Sequence, residues 1–218
     1  KELRIVQLSD VHLGTIHNKE YLSRIVDKTN KLNPDIVLIT GDLFDGGSML
    51  KDDFILPLNG LKAKSFFSMG NHEQYEGIED VTRILNETNV TILRNEVQKY
   101  KGVQIIGIDN PPNEFGGKND VIQSIKFNKS QPSILMYHPP KSLEEAQQAG
   151  VNLQLSGHTH DGQIFPFTLL SMIVYPRVHG LYDYIGTYMY VSPGTGTWGP
   201  PLRVGSNSEI TLINLVKA

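Results

Sequence analysis

The residues able to do chemistry fall in five short clusters: Asp10-Val11-His12, Gly41-Asp42, Gly70-Asn71-His72-Glu73, Tyr137-His138-Pro139 and Ser156-Gly157-His158-Thr159-His160. Five of the seven histidines lie inside them. Taken singly, each has an ordinary reading: a helix cap beside a surface histidine, a turn, a satisfied loop histidine. Taken together they supply imidazole, carboxylate and amide oxygen from Asp10, His12, Asp42, Asn71, His138, His158 and His160. The chain has no cysteine, so thiolate sites are excluded. The donor set suits Zn, Mn or Fe and argues against Cu(I) or an iron–sulfur cluster. Seven ligands are too many for one ion and suit two divalent ions sharing a carboxylate such as Asp42. Along extended backbone, residues i and i+2 point the same way. Spacing alone therefore pairs Asp10 with His12 on one ion, and His158 with His160 on one ion.

Each cluster follows a short apolar run. Leu3–Leu8, Asp35–Thr40, Lys64–Met69, Ser133–Tyr137 and Val151–Leu155 read as buried strands. Apolar positions 21, 22, 25, 26 and 32 predict a helix over Tyr21–Leu32, stopped by Asn33-Pro34. Further helices are expected over Asp52–Leu61 (weakened by Pro57), Ile78–Thr88, Asp120–Lys126 and Ser142–Ala149. The last carries Ser142 and Glu145 in capping-box spacing. Thr91–Leu93, Val97–Tyr100 and Val103–Ile108 read as strands joined by turns, and Glu209–Val216 as a closing strand. Gly46–Ser48 and Asp109–Lys118 read as loops, and the region after Leu155 as irregular. Strand–helix alternation makes this an α/β chain, and parallel strands would deliver the clusters along one sheet edge. With no linker or repeat, residues 1–218 read as one domain.

An apolar fraction of 39% with 20% charged residues fits a globular protein, and a net charge of −3 gives no sign of nucleic acid as a bulk partner. No run approaches the roughly 20 apolar residues of a membrane span. The chain starts at Lys1 and enters a strand at once, so we expect a fragment or mature form whose signal or anchor lies outside this chain.

Ser-Asp-Val-His-Leu-Gly from Ser9, Gly-Asp-Leu-Phe-Asp from Gly41, Gly-Asn-His-Glu from Gly70, Tyr-His-Pro-Pro from Tyr137 and Ser-Gly-His-Thr-His from Ser156 resemble, in order, the five motifs of the calcineurin-like metallophosphoesterase superfamily. The resemblance implies two mixed β-sheets packed as a sandwich flanked by helices. It implies that Asp10, His12 and His160 hold the first metal, that Asn71, His138 and His158 hold the second, and that Asp42 bridges them. His158 and His160 would then serve different ions, against the spacing argument. His72 would be the general acid or a phosphate contact. Gly70 and Gly157 would let the backbone pass close to the ions. A metal-bridging hydroxide would attack phosphorus in line with the leaving oxygen. Glu73 departs from the commoner Asp, outside the ligand set. No ligand position is missing, which disfavours a non-catalytic scaffold, and the first three motifs carry no arginine to suggest a protein phosphatase. The tail from Ser192 (Ser-Pro-Gly-Thr-Gly-Thr-Trp-Gly-Pro-Pro-Leu-Arg-Val-Gly) is similar to a narrower branch of prokaryotic phosphodiesterase-like proteins, often membrane-anchored or exported. That branch includes pyrophosphatases acting on UDP-diacylglucosamine.

The expected activity is therefore hydrolysis of a phosphodiester or pyrophosphate bond, in a small-molecule or lipid-linked phosphate ester. Phosphomonoesterase action is the alternative. Ile164–Tyr175 is the most apolar stretch. Three readings stand for it: core or cleft wall, a flap that docks on a membrane or binds an acyl chain, or a dimer contact. Arg177 and His179, just beyond, suit phosphate or headgroup contact. The expected location is membrane-associated or exported, with a cytoplasmic one as the alternative.

Overall fold

In the computed structural model, residues 2–46, 52–111 and 120–216 are described. The first sheet contains β1 (Leu3–Leu8), β2 (Ile36–Thr40), β3 (Lys64–Ser68), β4 (Thr91–Ile92) and β11 (Thr211–Leu215), in the order β11-β1-β2-β3-β4. β1 to β4 run parallel and β11 closes the edge antiparallel to β1. The second contains β5 (Glu96–Tyr100), β6 (Val103–Ile108), β7 (Ser133–Tyr137), β8 (Leu153–Ser156), β9 (Gly180–Tyr184) and β10 (Thr187–Val191), in the order β5-β6-β7-β8-β10-β9. Its four central strands are parallel and its two edge pairs antiparallel.

Apolar alternation on these strands feeds two layers at once. Ile5, Ile36, Leu38, Ile105, Ile134, Met136 and Leu155 meet between the sheets. Val6, Val37, Ile39 and Phe67 face outward, against α1 (Lys19–Lys31) and α3 (Ile78–Leu85) through Leu22, Ile25, Val26, Val81, Ile84 and Leu85. On the far side, Ile106, Leu135 and Tyr137 pack on Ala146 and Ala149 of α5 (Leu143–Ala149). Strands buried on both faces must be apolar at nearly every position, which is why they read as continuous runs. The expected helix-flanked two-sheet sandwich is the observed architecture.

Several expectations need correction. The clusters do not share one sheet edge: three follow β1, β2 and β3 of the first sheet and two follow β7 and β8 of the second. Ser142 does not form a capping box. Its backbone is left-handed (φ 59°) and its side chain caps nothing. Pro57 reduces the helix at Asp52–Gly60 to a 3-10 helix. The region after Leu155 is only partly irregular: it holds α6 (Phe167–Val174) and the β9–β10 hairpin, while 192–210 lies outside any named helix or strand. The aromatic run Tyr182, Tyr184, Tyr188 and Tyr190 around Ile185-Gly186 carried that hairpin's signal. The expected loops over Gly46–Ser48 and Asp109–Lys118 fall partly, at 47–48 and 112–118, outside the described residues.

Candidate metal centre

The site forms where the C-terminal ends of parallel strands from both sheets meet. β1 delivers Asp10 and His12, and β2 delivers Asp42. β3 leads through Gly70 into α2 (Asn71–Glu76), which begins with Asn71 and His72. β7 and β8 deliver His138, and His158 with His160. Asp10, His12, Asp42, His158 and His160 all have positive φ, between 51° and 74°. Such backbone is uncommon outside glycine and gathers at sites where the surroundings enforce it.

Three groups of side chains have their donor atoms within 4.8 Å of one another: Asp10 with His12 and His160; Asp42 with His138 and His158; and His12 with Asp42 and His72. In the first, His12 Nε2 and His160 Nε2 are 3.0 Å apart, and His160 Nε2 lies 3.4 Å from Asp10 Oδ1. In the second, His138 Nε2 lies 3.0 Å from Asp42 Oδ2. Asn71 Oδ1 joins this group, 3.0 Å from His158 Nδ1. Asp42 Oδ2 is 3.9 Å from His12 Nε2 and 4.0 Å from His72 Nε2, so Asp42 lies between the groups. His158 and His160 fall into different groups. Left-handed backbone at both residues breaks the extended alternation on which the spacing argument relied.

The arrangement fits metal ions on its own chemistry. His138 Nδ1 donates to the Thr40 carbonyl at 2.7 Å, which turns Nε2 toward the carboxylates. That buried Nε2 makes no hydrogen bond although Asp42 is close. A buried nitrogen that faces carboxylates without a hydrogen bond suits a cation. Asp10 and Asp42 are held by backbone amides: His158 N–H donates to Asp10 Oδ1 at 3.0 Å and His72 N–H to Asp42 Oδ1 at 3.0 Å. A Cβ on Gly157 would sit 2.2 Å from Asp10 Oδ2, and one on Gly70 would sit 2.2 Å from Asp42 Oδ1. These glycines make room for the two carboxylates, a more specific role than the expected close approach of backbone to ions.

The electrostatics follow from burying five imidazoles around two carboxylates. Burial lowers the His138 imidazole, but the Asp42 and Asp10 charges outweigh it and raise it to about 10. Burial likewise opposes ionisation of Asp42, and the surrounding imidazoles, His138 first, pull its carboxyl well below the usual range. Burial lowers His158 to about 3, with the His138 charge adding to it. His160 is lowered by burial and by His12. Burial also lowers His12, but Asp45, Asp42 and Asp10 together raise it.

Four residues outside the expected set support the site. The buried Glu73 carboxylate accepts the N–H groups of Gly70, Asp42, Leu43 and Phe44, at 2.6, 2.9, 2.8 and 3.2 Å, and so ties two site loops together. Asp45 Oδ1 lies 3.5 Å from His12 Nδ1, and its carbonyl accepts from His72 Nδ1. Tyr175 contacts His158 Nε2 through its hydroxyl at 2.8 Å. The Arg203 guanidinium donates to the carbonyls of His160, Pro193 and Gly196, at 2.9, 2.7 and 2.8 Å. The tail itself lies on the first loop: Thr195 N–H donates to Ser9 O at 2.7 Å and Gly196 N–H to Asp10 O at 2.9 Å. The tail motif signalled Arg203, but nothing local in the sequence signalled the Glu73 clamp. Arg177, expected at phosphate, is paired with Glu144 at 2.8 Å.

Ile164–Tyr175 is not core. α6 buries only Thr168 and leaves Leu169, Met172 and Ile173 exposed. Its other side walls a cavity of about 440 Å³ that opens beside the centre, lined by His158, His160, Phe167, Leu170, Val174 and Trp198 among others. No helix among the described residues is long and apolar enough to cross a membrane.

A family model described as calcineurin-like phosphoesterase matches residues 3–162. A metallophosphoesterase of Helicobacter pylori is 41% identical over 226 residues, covering 99% of this chain and 60% of that protein. A Danio rerio transmembrane protein with metallophosphoesterase domain is 37% identical, covering 99% of this chain and 54% of that protein. An Aquifex aeolicus metallophosphoesterase is 30% identical, covering 98% and 85% respectively. The chain spans about 60% of the length of its Helicobacter relative. Among solved structures, a dimetal phosphatase from Danio rerio is similar in fold, with a TM-score of 0.52 at 12% identity over 88% of this chain and 87% of that one.

Proposed function

The chain belongs to the calcineurin-like phosphoesterase family, and on that premise we propose that it hydrolyses a phosphodiester or pyrophosphate bond with two divalent ions, Mn, Zn or Fe. The observation that carries this reading is the convergence of carboxylate, imidazole and amide donors from five strand ends, with Asp42 between two groups and His138 Nε2 buried without a hydrogen bond. Asp10, His12 and His160 would hold one ion, and Asn71, His138 and His158 the other, with Asp42 shared. When bound, the ions supply Lewis acidity toward the phosphoryl group and toward water. His72 Nδ1 must carry a proton, because its partner, the Asp45 carbonyl, can only accept. Its Nε2 therefore faces Asp42 and the cluster. From there it can contact the phosphoryl group or give a proton to the leaving oxygen. The left-handed loops and the Glu73 and Arg203 clamps hold these groups before substrate arrives.

The substrate we infer is amphiphilic, with its phosphate at the centre and an aliphatic part in the cavity walled by Phe167, Leu170 and Val174. The exposed Leu169, Met172 and Ile173 would rest on a lipid surface. A relative named as a transmembrane protein with a metallophosphoesterase domain supports that location.

The test is turnover of bis-p-nitrophenyl phosphate and p-nitrophenyl phosphate with added Mn, alongside vesicle flotation. Asp42→Asn should cut diester turnover by more than about 100-fold, beyond the upper range for outer-shell changes. Joint replacement of Leu169 and Ile173 by Ser should lower vesicle binding and spare the soluble diester. Turnover untouched by Asp42→Asn would sink the metal reading, and unchanged flotation would sink the lipid surface.

A further inference from the structure

We infer that Tyr175 is a positioning residue for His158, so that the apolar helix α6 and the Asn71–His138–His158 half of the centre act as one mechanical unit. This rests on the dinuclear reading above. The Tyr175 hydroxyl lies 2.8 Å from His158 Nε2, and the two rings meet edge to face at 5.5 Å and 84°. Tyr175 ends α6. Its N–H donates to Ser171 O at 2.8 Å, its backbone is extended (φ −114°, ψ 122°), and Pro176 follows. A proline disfavours helical backbone at the residue before it, so the sequence sets where the hydroxyl emerges. Thr159, between the two histidines, is fixed separately by donating to the Val178 carbonyl at 2.6 Å. The segment 175–178 thus grips the His158–His160 loop at two points.

A hydroxyl suits this position for a reason that neither carboxylate nor carbonyl shares. Without a cation, His158 Nδ1 donates to Asn71 Oδ1, since an amide oxygen can only accept. The neutral ring then has a lone pair on Nε2, which takes the Tyr175 proton. If Nδ1 is to serve as a ligand, the ring proton must sit on Nε2, and that N–H now donates to the tyrosine oxygen. Tyrosine can donate in the first state and accept in the second, so the ring keeps its place while its tautomer changes. Phenylalanine would keep the ring contact and lose both hydrogen bonds.

The test compares the wild-type chain with Tyr175→Phe by calorimetric Mn titration, with elemental analysis of bound metal and melting in EDTA. Wild type should bind two ions. The variant should keep one affinity and weaken the other by about 10–100-fold, with the metal-free melting temperature lowered by no more than about 6 °C, the loss of one hydrogen bond. In a His158→Ala background the substitution should have no further effect on metal binding. Two ions bound with equal affinity by wild type and variant would overturn the inference and leave the dinuclear reading standing. Loss at both half-sites together, or a metal-free melting temperature lowered by more than that, would reduce Tyr175 to a packing role and overturn it too. Failure of wild type to bind two ions would instead count against the dinuclear reading.

Discussion

Glu73→Gln is the perturbation the structure prices most directly. Glu73 is fully buried, and its two oxygens take two amide protons each: Oε2 from Asp42 and Gly70, Oε1 from Leu43 and Phe44. A glutamine of the same shape has one oxygen, so its NH₂ must face two N–H donors. At about 1.5–3 kcal/mol for each hydrogen bond to a charged group, two lost bonds cost about 3–6 kcal/mol. An opposing effect exists. Burial and the nearby Asp42 charge push the Glu73 carboxyl up to about 7, so a neutral side chain relieves part of that strain. The lower end, about 3 kcal/mol, is therefore expected. For a chain this size that corresponds to a fall in melting temperature of about 6–12 °C. The assay is chemical and thermal unfolding followed by circular dichroism, with EDTA and with Mn. The loss should be at least as large with Mn, because Asp42 hangs on the same loop. A variant as stable as wild type would refute the clamp and would mean that Glu73 is held neutral, with its amide partners satisfied otherwise.

Two further outcomes follow from the same geometry. Gly157→Ala puts a methyl group 2.1 Å from Ser9 Oγ and 2.2 Å from Asp10 Oδ2, so Asp10 must move. Metal content should fall below that of wild type while the far-ultraviolet spectrum is retained, and full occupancy would refute the steric argument. His138, raised from 6.5 to about 10 by Asp42 in the metal-free site, must lose its proton to bind a cation, whereas His158, lowered to about 3, has none to lose. Metal uptake near pH 7 should release a proton, and affinity should rise with pH until about 10. Titration calorimetry in two buffers of different ionisation enthalpy reads that release. Without metal the sign reverses: the raised imidazole stabilises the fold fully below its ordinary 6.5, and that contribution fades as pH rises through about 10.

The legible part of the site lay in residue type and order. Strands buried on both faces can only be apolar runs, so their ends were marked, and donor residues at those ends stood out against them. The helices were legible where the 3.6 period was clean, as in α1, and were misread where local chemistry competed. Ser142 turns left-handed two residues after Pro139-Pro140, which removes it as a cap. α6 was missed because it is apolar nearly all round, with Thr168 and Ser171 its only polar residues, so no amphipathic stripe announced it.

By itself the sequence determined which donors exist and excluded thiolate chemistry, because composition limits what any fold can assemble. It also determined that strand and helix alternate. Tertiary structure alone decided how the donors divide. Two sheets, not one edge, bring them together, and left-handed backbone at His158 and His160 sends neighbours on one strand end to different groups. It decided, too, that Glu73 is a clamp and that Tyr175 reaches His158, since both depend on contacts between segments far apart in the chain. Local spacing can state which side chains leave a strand together. Where they arrive depends on backbone angles that distant packing enforces.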